Sequence, residues 1–434
     1  MRAATATAVW YPYTQMLGLD PAIEIVRGQG AWLEARDGRR FLDAISSWWV
    51  TLHGHAQPRI AAAIAEQAAR LEQVILSGFT HRPAEELAER LLPLLPAGLS
   101  HIFYSDDGST AVEVALKMAL QFWQQRGAPE RTRLVALEHA YHGDTVGAMA
   151  VSAPSPFTAA FTSLLPPVQR VHTAFCHRCP VGLRRETCHT ECLGGLEREL
   201  AEHGAHTAAM IIEPLLQGAG GMIVQPVEFV QGVRRLCDRY GVLLIADEVL
   251  TGFGRTGAMF ACAKAAIAPD ILCLSKGLTG GFMPMAATVC TDAVFDAFLH
   301  ADRGKTFFHG HSYSGNPLGC AAALASLEVF ATEPVFERIA AIATQQARRL
   351  GHLRGHPAIA DLRQAGTVAA IELAAGGGYL AEIGPRLKRF YLERGVLLRP
   401  MGDVVYVLPP YCVTAPELDF IWDTIESSLD LIGG

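Results

Sequence analysis

The sequence predicts an α/β protein: a large domain whose central sheet is mostly parallel and covered by helices, and a smaller α+β domain assembled from both termini. Two observations predict it. Short apolar runs of strand length alternate with longer segments whose apolar residues recur every three to four positions, as buried parallel strands and their crossover helices do. That alternation changes before residue 58 and after about residue 325, which sets expected domain boundaries at 1–58, 59–325 and 326–434. With 434 residues, half of them apolar, the chain can fill a large core and more than one domain.

Taken in order, the run 101–105 (His-Ile-Phe-Tyr-Ser) is the first predicted strand of the sheet, followed by Asp-Asp-Gly-Ser-Thr. A helix is predicted over 110–125, where Ala111, Ala115, Met118, Phe122 and Trp123 form an apolar stripe. Further strands are predicted at 133–138, 208–213, 242–246, 270–274 and 286–290. The tail holds a long amphipathic helix at about 335–352, then apolar stretches at 367–373 and 404–409, separated by the glycines 376–378 and another helix. The chain has no internal repeat and no low-complexity linker.

Chemistry enters at two strand ends. Val-Leu-Leu-Ile-Ala-Asp-Glu (242–248) brings a strand to Asp247, and Asp-Ile-Leu-Cys-Leu-Ser-Lys-Gly (270–277) brings the next to Lys276. A lysine so placed can form a Schiff base with an aldehyde. An aspartate on the neighbouring strand can keep a pyridinium nitrogen protonated, so that the ring accepts electrons from a carbanion. Alone, each residue reads as a surface charge or a helix cap; together they read as pyridoxal-phosphate chemistry. Gly108 and Ser109 stand at the first turn of the helix after the first strand, where backbone amides and the helix dipole favour a phosphate. Tyr141, in Ala-Tyr-His-Gly-Asp after the strand 133–138, can lay an aromatic face over a planar ring.

The formal charge is −7 with no block of like charges, so neither a basic nucleic-acid face nor an acidic tail is visible and no polyanion partner is implied. The stretch from Met1 to Trp10 lacks the apolar core of a leader, and no apolar run reaches the roughly 20 residues of a membrane span. A soluble cytoplasmic protein is expected. Of the ten cysteines, Cys273 and Cys290 lie in apolar runs and read as core residues. Cys176, Cys179, Cys188 and Cys192 have the spacing C-x2-C-x8-C-x3-C, which suits a closed zinc site or a surface insertion of reduced thiols. The second pair departs from the usual knuckle spacing, and no functional metal is expected.

These motifs resemble the class-III, fold-type I, pyridoxal-phosphate-dependent aminotransferases over essentially the whole chain. The resemblance is carried by Gly-Ser-Thr-Ala-Val-Glu (108–113), Tyr-His-Gly-Asp (141–144), Ile-Ala-Asp-Glu-Val (245–249), Gly-Phe-Gly-Arg-Thr-Gly (252–257) and Leu-Ser-Lys-Gly (274–277). It implies a homodimer with each active site at the subunit interface and a ping-pong amino transfer. By the same resemblance Lys276 binds the cofactor aldehyde and shuttles a proton, Asp247 pairs the ring nitrogen, and Tyr141 stacks on the ring and borders the substrate. Gly108 and Ser109 bind the phosphate, joined by His311 and Ser312 of Phe-His-Gly-His-Ser-Tyr (308–313) from the neighbouring subunit. Tyr13, Trp49, Gly310 and Arg399 match substrate-pocket positions, with Tyr13 also close to the chemistry, and Asp144 and Tyr406 support that pocket.

Four narrower motifs are similar to the branch of the class that acts in biotin biosynthesis: 10–16, 46–49, 217–222 and 398–411. That branch implies S-adenosylmethionine as amino donor and 8-amino-7-oxononanoate as acceptor. Where many of its members read Gly-Pro-Thr, this chain reads Gly310-His311-Ser312. The serine keeps the hydroxyl, and the histidine is shared with relatives that take lysine as donor. Lysine is therefore the second donor, and an ω-aminotransferase using pyruvate or 2-oxoglutarate is the alternative activity. Arg399 is the candidate anchor for the acceptor carboxylate, and Arg255 a second candidate for the donor carboxylate.

Overall fold

The computed structural model describes residues 7–431; the first six residues, part of the stretch read for a leader, and the last three lie outside it. A seven-stranded sheet runs in the order Leu99–Ser105, Ala286–Thr291, Ile271–Leu274, Leu243–Asp247, Thr207–Ile212, Arg133–Leu137 and Gln169–Val171. Every neighbouring pair is parallel except the two made by Ala286–Thr291, which runs antiparallel to both its neighbours. The reversal follows from the connection 275–285, which carries only a short 3-10 turn and cannot make the crossover that a parallel return needs.

Alternate residues of these strands feed two separate cores. Leu244, Ala246, Leu272 and Leu274 pack on one face with Phe229, Val233 and Leu236 of the helix Val227–Tyr240. Leu243, Ile245, Ile271 and Cys273 pack on the other with Ala111, Ala115, Met118 and Phe122 of the helix Gly108–Gln125. With both faces covered, the strands read as unbroken apolar runs. Gly108–Gln125 starts two residues earlier than the stripe predicts, because Asp107 closes a capping box with Thr110.

Of the smaller sheets, one joins the two ends of the chain, one is built from the C-terminal part alone, and a two-stranded ribbon pairs Leu216–Gln217 with Ile223–Val224. Ile25–Gln29, Trp32–Ala35 and Arg40–Asp43 form an antiparallel set to which Val396–Leu397 adds in parallel. Ile359–Ala365, Val368–Leu373 and Val404–Val407 form an antiparallel sheet, the last two at the predicted apolar stretches. The long tail helix is Val335–His352, as its periodicity predicts. Pro317–Thr332, apolar on nearly every side, packs on Pro58–Ala68 and Arg82–Leu91. Among the described residues no single helix is long and apolar enough to cross a membrane.

Candidate active site

Asp247 and Lys276 emerge at the same edge of the sheet, from adjacent parallel strands in which Asp247 is level with Cys273. Ligand sites of such sheets lie outside the carboxyl ends of the strands. A cavity of about 630 Å³ opens there, lined by Trp49, Gly108, Ser109, Tyr141, Asp247 and Lys276 among others.

Asp247 is almost fully buried. Its Oδ1 accepts the Val249 amide at 3.0 Å, and its Oδ2 lies 2.7 Å from Nδ1 of the buried His142. A carboxylate offers about four lone-pair positions, so this one retains room for a ring N–H while charge and geometry are held from behind. Lys276 sits on a backbone φ of 38°, with Nζ 5.3 Å from the Trp49 ring centroid. Enclosure lowers its pKa below that of an ordinary lysine, and the carboxylates of Asp247, Glu213 and Asp107 oppose the shift.

At the start of the helix Gly108–Gln125, Ser109 Oγ accepts the Thr145 amide at 3.0 Å and lies 2.8 Å from Thr145 Oγ1. Crowding there demands glycine: a Cβ on Gly143 would stand 2.3 Å from Ser109 Oγ, and one on Gly108 2.6 Å from Val249. The cradle of helix end, hydroxyl and bare backbone suits a phosphate.

Tyr141 is fixed through its amide, which donates to Glu213 at 3.0 Å; the other Glu213 oxygen accepts the Gly218 amide at 2.9 Å. Burial pushes the Glu213 carboxyl up to about 7, with His142 opposing and Asp247 adding to the shift. The Tyr141 hydroxyl donates to Asp144 at 3.0 Å and lies 3.1 Å from that of Tyr13, which also bonds Asp144. Burial and the Asp144 carboxylate raise the Tyr13 phenol to about 12.

Aromatic rings close the mouth. Tyr13 meets Trp48 and Phe157 edge-on at 5.7 and 5.4 Å, and Phe157 meets Tyr379 at 4.6 Å. The Arg399 guanidinium lies 4.4 Å over Trp48 and 6.0 Å from the Tyr13 ring centroid. Trp49 is oriented by donating Nε1 to the Tyr406 hydroxyl at 3.0 Å.

Two groups of expected residues lie elsewhere. Arg255 is fully buried, donates to the Pro409 carbonyl at 2.8 Å and stacks 5.0 Å over Tyr411, so the structure corrects its assignment as a carboxylate anchor: it braces the interior. Gly310, His311 and Ser312 line a different cavity of about 820 Å³, with residues 73–77 and 102–104. His311 Nε2 lies 3.5 Å from Asp106. The four clustered cysteines are free thiols; Cys179 and Cys188 accept backbone amides at 3.3 and 3.2 Å. Among the described residues no three metal-ligating side chains converge.

His142, Glu213, Phe157 and Tyr379 were not singled out from the sequence. His142 had a signal, its place between Tyr141 and Gly143 in a motif already noted; Phe157 and Tyr379 had none, since only folding brings 157 and 379 together.

The buried paired carboxylate, the enclosed lysine and the helix-end cradle suit pyridoxal phosphate in ring, aldehyde and phosphate respectively. Comparison with known proteins agrees. The aminotransferase class-III family profile matches residues 17–429. The chain is 45% identical over 438 residues to the adenosylmethionine-8-amino-7-oxononanoate aminotransferase of Geobacter sulfurreducens, covering 98% of this chain and 96% of the relative. It is 47% identical to the protein of that name from Synechococcus elongatus, covering 98% and 99%. Among solved structures, the Methanocaldococcus jannaschii protein of that name superposes with a TM-score of 0.91 at 36% identity, covering 98% of this chain and 97% of the other. A PLP-bound amine transaminase from an uncultivated Pseudomonas species gives 0.92 at 32% identity, covering 98% and 99%. The chain belongs to the class-III aminotransferase family and is a pyridoxal-phosphate-dependent aminotransferase.

Proposed function

We propose that this aminotransferase moves an amino group from S-adenosylmethionine to 8-amino-7-oxononanoate, giving 7,8-diaminononanoate for biotin biosynthesis in a ping-pong cycle. The observation that carries this reading is identity of 45% and 47%, across 98% of the chain, to relatives bearing that activity in their names. The amine transaminase reaches 32%.

Bound pyridoxal phosphate supplies an aldehyde that bonds an amine and a ring that draws electrons from the carbon beside it. Lys276 would hold that aldehyde, and its Nζ would move a proton at the substrate carbon; its lowered pKa leaves more of it in the uncharged form that accepts one. Asp247, held by His142, would keep the ring nitrogen charged, Gly108 and Ser109 would hold the phosphate, and Tyr141, set by Glu213, would stack on the ring. Tyr13 and Trp49 border the substrate, Asp144 aims the two phenols, and Tyr406 fixes Trp49. Arg399, its guanidinium 4.4 Å from the Trp48 ring centroid, is the residue we assign to the substrate carboxylate, which a planar guanidinium suits through two parallel hydrogen bonds.

His311 and Ser312 serve the phosphate, and Gly310 the substrate wall, of the neighbouring protomer in a cytoplasmic homodimer. Exposed Phe79, Phe308 and Tyr313 beside them favour such a covered face. Residues 59–325 form the cofactor-binding domain, flanked by 1–58 and 326–434.

An amino-donor screen against 8-amino-7-oxononanoate tests the reading. Turnover with adenosylmethionine is expected. Turnover with lysine alone would move the donor, and amination of pyruvate or 2-oxoglutarate without use of 8-amino-7-oxononanoate would overturn the assignment.

A further inference from the structure

Between the 3-10 turn Arg303–Lys305 and the helix Pro317–Thr332 the chain has no regular element, and this stretch carries Gly310, His311 and Ser312. Without a ladder, its backbone carbonyls must find donors elsewhere. One helix supplies them. Gln125 Nε2 donates to the Lys305 carbonyl at 2.8 Å and Gln121 Nε2 to that of Thr306 at 3.1 Å. Lys117 Nζ donates to the Phe308 carbonyl at 3.4 Å and lies 3.0 Å from His309 Nδ1. All three donors stand on Gly108–Gln125 at intervals of four, so they share one face.

The contacts keep their order. As the helix is followed back from 125 to 117, the segment advances from 305 to 309, and Asp106, just ahead of the helix, lies 3.5 Å from His311 Nε2. From 117 to 125 a helix rises about 12 Å, and a chain from 305 to 309 spans at most about 14 Å. The segment is laid along the helix toward its phosphate-binding end.

The bond from Lys117 needs an uncharged His309. Burial and the cations Lys117 and His311 hold that histidine below the ordinary range, against the opposing carboxylates of Glu113 and Asp106. Its ring stacks on Phe307 at 5.9 Å, and Phe307 meets Phe103 edge-on at 5.4 Å, which seats the segment against the core under the helix. At the end of this path His311 Nε2 is enclosed and makes no hydrogen bond among the described residues. It is available to a group from outside the chain.

One helix thus meets two phosphate sites, its own through Gly108 and Ser109 at the first turn and another through the segment on its flank. We infer that Lys117, Gln121 and Gln125 are positioning residues for the partner's cofactor, holding 305–311 so that His311 and Ser312 present their side chains to the phosphate of the neighbouring protomer. The inference rests on the homodimer and on the role of His311 and Ser312 proposed above.

The test uses mixed dimers in which one subunit carries Lys276→Ala, so that the absorption of the lysine-bound cofactor reports the other subunit's site alone. Adding Lys117→Met to the Lys276→Ala subunit is expected to weaken cofactor binding at the visible site about tenfold, and Lys117→Arg, which keeps the donors, to hold it within about threefold. Lys117→Met in the visible subunit is expected to change its own affinity less than about twofold. Equal losses in the two arrangements, no loss in either, or a loss confined to the subunit bearing Lys117→Met would overturn the action across the interface. Ser312→Ala in the Lys276→Ala subunit tests the reading beneath. No loss at the visible site would overturn the role of the segment itself, whereas a loss with Ser312→Ala and none with Lys117→Met would overturn the part played by the helix.

Discussion

The cofactor half and the substrate half of the cavity are built in different ways. Asp247 and Lys276 stand at the ends of paired strands, and Gly108 and Ser109 open an 18-residue helix. Their positions follow from backbone hydrogen bonding. Tyr13 and Trp49 sit instead on irregular segments at φ of 51° and 69°, with Ser46 and Ser47 at 52° and 59° between them in sequence, and Arg399 enters from the far end of the chain. Their positions follow from side-chain packing: Tyr13 on Trp48 and Phe157, Trp49 on Tyr406, Arg399 on Trp48. Changes in the first half are therefore expected to damage both half-reactions alike, and changes in the second to separate one substrate from the other.

The strongest test of that division is Lys276→Ala, expected to drop both half-reactions to background and remove the absorption of the lysine-bound cofactor, with the far-ultraviolet circular dichroism unchanged. Retained turnover would move the reacting amine elsewhere. Asp247→Asn, which cannot hold the ring proton by charge, is expected to lose on the order of 100-fold to 1000-fold in both half-reactions and to bind cofactor more weakly. A loss confined to one substrate would place Asp247 in substrate binding instead. Arg399→Ala, from the other half, is expected to weaken use of the acceptor by roughly 30-fold to 1000-fold, the value of about 2 to 4 kcal/mol for a charge-assisted grip. Arg399→Lys should recover part of it, and a change within about threefold would send the search for the anchor elsewhere.

Tyr406→Phe removes the partner of Trp49 Nε1 and is expected to cost up to about tenfold in kcat/KM, with cofactor affinity unchanged. Glu213 gives the least change and reads out as stability. Its folded pKa of about 7 exceeds the ordinary 4.5, so the contribution it makes at low pH is lost as pH rises through that window. Glu213→Gln should show a shallower decline in Tm between about pH 4.5 and 7 than the wild type. Parallel declines would mean that the carboxyl does not titrate there.

Legibility from sequence followed the same division. Strands such as Leu243–Asp247 and the helix Val335–His352 were readable because apolar runs and three-to-four spacing are local signals. The three-residue strand Gln169–Val171 is too short to carry a pattern, and neither the largely exposed strand Ile25–Gln29 nor the half-buried Trp32–Ala35 alternates in polarity clearly enough to show one. Asp247 and Lys276 were legible as strand ends. Arg255 was misread because its motif says nothing of direction, and the chain turns it inward to Pro409. His142 and Glu213 went unread because their partners lie 105 and 72 residues away, where only the folded sheet unites them.

The φ of 38° at Lys276 has a consequence for how such an enzyme ages and evolves. A non-glycine residue held in that region costs about 1 to 3 kcal/mol, and the rest of the fold must hold it there. Glycine would relieve the backbone, so Lys276→Gly should melt above Lys276→Ala although neither can turn over. Drift toward a sturdier chain at this position is drift toward an inert one, which makes the reacting lysine a point where robustness and activity are antagonists through a single torsion angle.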